Sequence, residues 1–178
     1  TPAQNMYFRK KATETSFASA SFLLTVPARP VSPAASVDFI HETTVETYSS
    51  GYEYAVSPAM TGTVTCSGTT IPLQPGTDIY IRVKATGSSF ASSAVHLDVP
   101  ERPAKTTVAV DFNTEVTSVI PLGIVYSSDP SMADPINGMD LPVPVSPGTD
   151  LYVRIPATES SFASAIQALD VPDRPALP

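Results

Sequence analysis

One cysteine, no tryptophan, ten lysines and arginines, eight glycines: the chain is short of most residues that chemistry relies on. Each shortage closes a class of function. Cys66 alone makes no internal disulfide, completes no structural zinc set and fits no cysteine-based redox spacing. With no His or Lys close by to lower its pKa, it reads as a small, partly buried strand residue rather than a nucleophile. Ten basic against seventeen acidic residues give a formal net charge of −7. That leaves no basic face for nucleic acid. The apolar run SFLLTV falls far short of the roughly 18 residues that cross a bilayer, so no membrane insertion is expected within this segment. There is no glycine-rich phosphate loop and no CxxC pair, and no cofactor is implied. Aromatics are 8%, so the core must be built from Val, Ile, Leu, Phe and Ala.

Proline is abundant, with nineteen residues in 178. Breakers at that density exclude long helices and suit short strands joined by turns. The chain also says one thing three times. Residues 7–30 read YFRKKATETSFASASFLLTVPARP, residues 80–103 read YIRVKATGSSFASSAVHLDVPERP, and residues 152–175 read YVRIPATESSFASAIQALDVPDRP. The copies start at Tyr7, Tyr80 and Tyr152, 73 and 72 residues apart. Earlier parts of the period match as well: VDFIHETTVE (37–46) with VDFNTEVTSV (110–119), YEYAVSPAM (52–60) with IVYSSDPSM (124–132), and IPLQPGTDI (71–79) with VPVSPGTDL (143–151). A fixed period makes each copy one structural unit.

Each unit reads as strands. After the PGTD turn, Ile79, Ile81, Val83 and Ala85 alternate with Tyr80, Arg82 and Lys84, the pattern of a half-buried strand. Leu151, Val153 and Ile155 repeat it against Tyr152 and Arg154. A polar link leads to a second alternating run, with Ala91, Val95, Leu97 and Val99 inward and Ser92, His96 and Asp98 outward. The two runs should pair as an antiparallel hairpin. Gln167 stands where Val95 stands in the preceding copy and predicts a bulge or local shift. Weaker strands are expected at 37–40 and 108–112, at 52–56 and 124–126, and at 63–66. The counterpart of the last, 134–139, carries Pro135 and Gly138 and should be irregular.

The VPxRP segments at 26–30, 99–103 and 171–175 are stiff, extended links. They set the expected organisation: residues 1–30 as the closing hairpin of an incomplete copy, 31–103 as one β-sandwich repeat, and 104–178 as the next. A different phase, with residues 1–30 lending strands to 31–72, stays open. The lone hairpin is marginal by itself; it should pack on the next module, pair between chains, or fray. The chain opens inside a copy, so a leader or anchor upstream is left open.

The run LQPGTDIYIRVKA (73–85) followed by SSFASS (88–93) resembles the closing strands of bacterial extracellular immunoglobulin-like and fibronectin type III-like modules. Ile79 and Leu151 stand where that family places an inward Tyr, and its usual early Trp is missing, so the likeness is to a compact variant. The resemblance implies an all-β fold of tandem antiparallel sandwiches of about 72 residues each. It also implies a non-catalytic spacer or adhesion module in a larger bacterial secreted or cell-surface protein. The partners would be other domains of the same protein, a glycan or a surface protein.

Little chemistry rises above that scaffold. His41 and His96 sit at unrelated points of the repeat, which excludes a His-dependent site common to the copies. Asp98, Glu101 and Asp111 near one link are the calcium candidates, because Ca²⁺ takes several carboxylate oxygens; the alternative is solvation or pairing with Arg102 and Arg174. The repeated Tyr/Arg pairs, Tyr80 with Arg82 and Tyr152 with Arg154, are the binding candidates, since i and i+2 share a strand face and a Tyr beside an Arg suits a sugar- or peptide-binding platform, by stacking and by cation–π contact. The alternative is an Arg paired with an acid on the neighbouring strand. A carbohydrate-binding or accessory module of a secreted hydrolase is the competing function, and it requires an exposed aromatic strip that includes Tyr48, Tyr52, Tyr54 and Tyr126. Phe17, Phe90 and Phe162 read as anchors closing the end of each module.

Overall fold

A computed structural model describes residues 2–177; Thr1 and Pro178 lie outside the described residues. The described chain is all β, with antiparallel pairing in every ladder whose register is defined, in keeping with the immunoglobulin-like sandwich class. Its fourteen short strands are β1 (Met6–Phe8), β2 (Phe22–Leu24), β3 (Val37–Asp38), β4 (Thr43–Thr44), β5 (Tyr52–Ala55), β6 (Val64–Thr65), β7 (Ile79–Val83), β8 (Val95–Leu97), β9 (Val110–Asp111), β10 (Val116–Thr117), β11 (Val125–Ser127), β12 (Ile136–Asn137), β13 (Leu151–Arg154) and β14 (Gln167–Leu169). Two four-stranded sheets carry the same order, β6-β5-β7-β8 and β12-β11-β13-β14. The pairs β1-β2, β3-β4 and β9-β10 form two-stranded ladders.

The chain divides into two compact units. One holds the chain through Val37 together with Thr44–Pro72 and Thr77–Asp98; the other holds Asp38–Thr43, Leu73–Gly76 and everything from Val99 onward. In the first unit, Ile79 and Ile81 of β7, Leu97 of β8 and Ala55 of β5 are buried, joined by Tyr48, Cys66 and Ile71. In the second, Val108, Ile120, Leu151, Val153 and Leu169 form the core, with Val110, Ile124, Tyr126 and Val143 packed around it. Each such buried aliphatic contributes roughly 1.5–3 kcal/mol. Period-two alternation placed Ile79 and Ile81, then Leu151 and Val153, on the inner face, where they are found.

The N-terminal hairpin is different. β1 and β2 pair in register, Met6 with Leu24 and Phe8 with Phe22, yet all four side chains are exposed. The equivalent positions in the later copies, Ile79, Ile81 and Leu97, are buried.

Three local expectations are corrected. No bulge forms at Gln167, which pairs with Val153 as Val95 pairs with Ile81. The polar side chain is tolerated inside because it acts as a strand would. Its Oε1 accepts from the Val108 amide (2.8 Å) and the Thr106 hydroxyl (3.0 Å), while Nε2 donates to the Val108 carbonyl (2.6 Å). Ser92 is not outward but buried, and the strand starts only at Val95. Its hydroxyl accepts from the Val83 amide and donates to the Ser93 carbonyl, so it satisfies backbone groups where the ladder has ended. The stretch around Pro135 and Gly138 does supply a strand, β12, on β11. Gly138 permits it, because a Cβ there would collide with the carbonyl oxygens of Ile120 and Pro121.

The short strands β4 and β10 escaped the sequence reading. They are held by buried threonines: the Thr44 hydroxyl accepts from the Ile71 amide, and the Thr117 hydroxyl accepts from the Val143 amide, each at 2.9 Å.

Candidate functional site

The most elaborate local construction is where a VPxRP link meets a Ser-Phe-Ala-Ser loop. The loop is built alike in all three copies. The amides of Thr13, Thr86 and Thr158 donate to the carbonyls of Ser16, Ser89 and Ser161, each at 2.9 Å. The hydroxyls of Ser19, Ser92 and Ser164 accept from the amides of Lys10, Val83 and Ile155 at 3.0, 2.9 and 3.0 Å. They then donate to the carbonyls of Ala20, Ser93 and Ala165. Small hydroxyls stand in for missing backbone partners, so the loop conformation is set by its own residues.

What each loop's phenylalanine meets is not alike. Phe162 is 1% exposed, Phe90 38% and Phe17 99%. Phe162 lies edge-on against Phe39, with ring centroids 4.9 Å apart. Arg102 binds the same place: one guanidinium nitrogen donates to the carbonyl of Ala163 (2.9 Å) and the other pairs with Glu42 (2.7 Å). Phe90 has the matching arginine: Arg29 donates to the Ala91 carbonyl (2.6 Å) and its guanidinium lies 5.6 Å from the Phe90 ring centroid. Phe162 therefore packs against a residue of the preceding copy.

The receiving surface follows from two strained turns. Glu42 and Glu115 sit at φ 55° and 54°, the left-handed region that costs a non-glycine residue energy. Their carbonyls accept from the amides of Leu73 (2.8 Å) and Val145 (2.9 Å). The glycines of the two PGTD turns, Gly76 and Gly148, also at positive φ, donate to the Val99 and Pro100 carbonyls and to those of Val171 and Pro172. Each link is thus laced to its own turn, which brings Arg102 beside Glu42 and Arg174 beside Glu115 (2.8 Å). The second copy of this surface surrounds an open, mostly apolar cavity of about 390 Å³ lined by Phe112, Glu115, Val145, Val171, Arg174 and Pro175. Phe112, the counterpart of Phe39, is 60% exposed there.

The candidates taken from the sequence lie elsewhere. Arg82 reaches across the sheet to Glu53, its register partner on β5, with both guanidinium contacts at 2.7 Å. Tyr80 stacks on the His96 ring at 4.8 Å, and His96 in turn contacts Asp78 at 2.8 Å. Arg154 faces Val125 in register, where the other sheet has Glu53, and its buried Nε has no hydrogen-bond partner among the described residues. Tyr152 is half-buried on the same strand. Tyr48 cannot join an exposed aromatic strip: it is buried, donates its hydroxyl proton to the Ala34 carbonyl (2.7 Å) and meets Tyr52 edge-on. Among the described residues no three of His, Cys, Asp and Glu gather as a metal-holding group. Asp98, Glu101 and Asp111 are therefore not members of such a cluster. Glu101 lies against Gly76, and the Asp111 carboxylate accepts from the Asn113 amide (2.9 Å), which holds it below the usual carboxylate range. Asp38, the counterpart of Asp111, is lowered chiefly by its hydrogen bond with His41. Burial pushes the Cys66 thiol upward, with the charge of Glu53 adding to it.

Phe39, Phe112, Glu42 and Glu115 were not singled out for this role by the sequence reading. The signal was present: both pairs recur one period apart, ahead of the repeated Arg of the links.

No protein-family model and no curated protein matches the chain. Among solved structures, the chain is similar to the chicken CNTN1 FN1–FN3 domains, at 15% sequence identity and a TM-score of 0.30, covering 98% of this chain and 79% of that one. That likeness is too loose to add to the strand pairing described above.

Proposed function

We propose that this chain is a non-catalytic structural or adhesion module, an array of small sandwiches within a larger bacterial secreted or cell-surface protein. One observation carries the reading: the conspicuous polar groups are spent on holding strands and links together. Arg82 is taken by Glu53, Arg102 by Glu42 and the Ala163 carbonyl, and Arg174 by Glu115. The Arg–Glu clamp of the link recurs one period apart, as a spacer requires, and the stiff Pro-flanked links restrict hinge freedom.

The competing reading, a carbohydrate-binding module, loses Tyr48 to the core, and the Tyr80 ring is already stacked on His96. Affinity electrophoresis against a broad set of polysaccharides separates the two. A spacer migrates unretarded in every gel. Retardation by one polysaccharide that is lost in Tyr80→Ala or Tyr152→Ala would overturn the structural reading.

A further inference from the structure

We propose that the cavity formed by Phe112, Glu115, Val145, Val171 and Arg174 is a docking site for the Thr13 to Ser19 loop of a second copy of this chain. Phe17 enters beside Phe112, and Arg174 donates to the carbonyl of Ala18. The chain holds one completed example of this contact, between Phe162, Ala163, Phe39 and Arg102. Every element of it recurs at the two open sites. On the receiving side, Phe112, Glu115, Val145, Val171 and Arg174 repeat Phe39, Glu42, Leu73, Val99 and Arg102 one period later. The turn carbonyl, the glycine amide and the Arg–Glu pair keep the same partners. On the entering side, the Phe17 loop shares with the Phe162 loop the Thr-to-Ser turn bond and the bridging serine hydroxyl, and differs in that the Ser16 hydroxyl bonds Thr13 where Ser161 donates to the Phe162 carbonyl, so its backbone is already set for docking.

The two open features are complementary in another respect. Residues 1–30 hold Arg9, Lys10, Lys11 and Arg29 against a single acid, Glu14. Residues 31–178 hold six cations against sixteen acids. A net positive loop-bearing segment therefore meets a net negative chain, which favours encounter and orientation. Plug and cavity are different surfaces, so the contact is heterologous and each docked copy still offers one of each. Association continues head to tail instead of stopping at a symmetric pair.

The exposed position of Phe17 makes the test clean, because its removal cannot disturb a core. Sedimentation velocity is run on the full chain over a concentration series of about a hundredfold. Wild type is expected to shift to larger species with rising concentration. Phe17→Ala, Phe112→Asp and Arg174→Ala should each weaken this by about tenfold or more. Phe17→Ala keeps a working cavity and Phe112→Asp keeps a working plug, so an equal mixture of these two should form pairs that grow no further. Wild type that stays monomeric throughout overturns the proposal and leaves the cavity to some other occupant. Association that Phe17→Ala leaves intact, or a mixture that stays monomeric while wild type associates, overturns it too.

Discussion

Three phenylalanines in one loop sequence, each in a different surrounding, offer an internal measurement of what burial contributes. A phenylalanine buries about 150–250 Å² when fully enclosed. At about 25 cal/mol per Å², that is roughly 4–6 kcal/mol as an upper estimate. Phe162 realises nearly all of it and Phe17 almost none, while Phe90 keeps over half of its ring covered. Truncation to Ala should therefore cost about 3–5 kcal/mol at Phe162, where a cavity is left against Phe39. At Phe90 it should cost about 1–2 kcal/mol, since the site is half open and collapses readily. At Phe17 the change should stay within about 0.5 kcal/mol. Urea unfolding of the three variants, at a concentration low enough to suppress association, reads the series directly from the midpoints. The fully buried site should also lower Tm by on the order of 10 °C. Equal losses at Phe17 and Phe162 would refute the reasoning, because they would mean that the loop stabilises the chain through its own hydrogen bonds and not through what the ring touches. A neutral Phe162→Ala would refute it as well.

Gln167→Val restores the residue found at the same position of the preceding copy, yet it should destabilise by about 2–3 kcal/mol, because the buried Val108 amide and carbonyl lose their partners together; an unchanged urea midpoint would show that the side chain is a passenger. Burial also raises the protonation range of the Cys66 thiol and, more strongly, of the Tyr48 hydroxyl. The unfolded chain gives up the thiol proton near about pH 8.5 and the phenol proton near about pH 10, while the folded chain holds each to a higher pH. These two groups should then leave native stability unchanged from neutral pH up to about pH 8 and lower it as the pH rises beyond that. Urea midpoints at stepped alkaline pH check this, and Cys66→Ala should delay the onset of the fall toward the tyrosine range.

Much of the scaffold was written in the order of residues. The alternation around Ile79 to Val83 and Leu151 to Arg154 fixed which side chains turn inward, because a strand has only two faces. The prolines and glycines fixed where strands stop. The repeat itself foretold that the sheet order β6-β5-β7-β8 would be matched by β12-β11-β13-β14. Local pattern failed where a polar side chain replaced a backbone partner. Gln167, Ser92, Thr44 and Thr117 all look outward-facing by residue type, and all bond to main-chain groups that no sequence window can show to be in need of a partner.

The candidate site was hidden for a related reason. Tyr80 and Arg82 stood out because they are neighbours on one face of one strand, whereas the cavity draws Phe112, Val145, and the pair Val171 and Arg174 from three separate stretches. The three loops are also the same to the eye, and no property of Ser-Phe-Ala-Ser distinguishes Phe17 from Phe162. By itself the sequence determined a duplicated β unit, its inward faces and its turns, since these depend on neighbours within a few residues. Only the tertiary structure decided which copy of the phenylalanine is covered and which cavity stays open, because that depends on what packs from far along the chain.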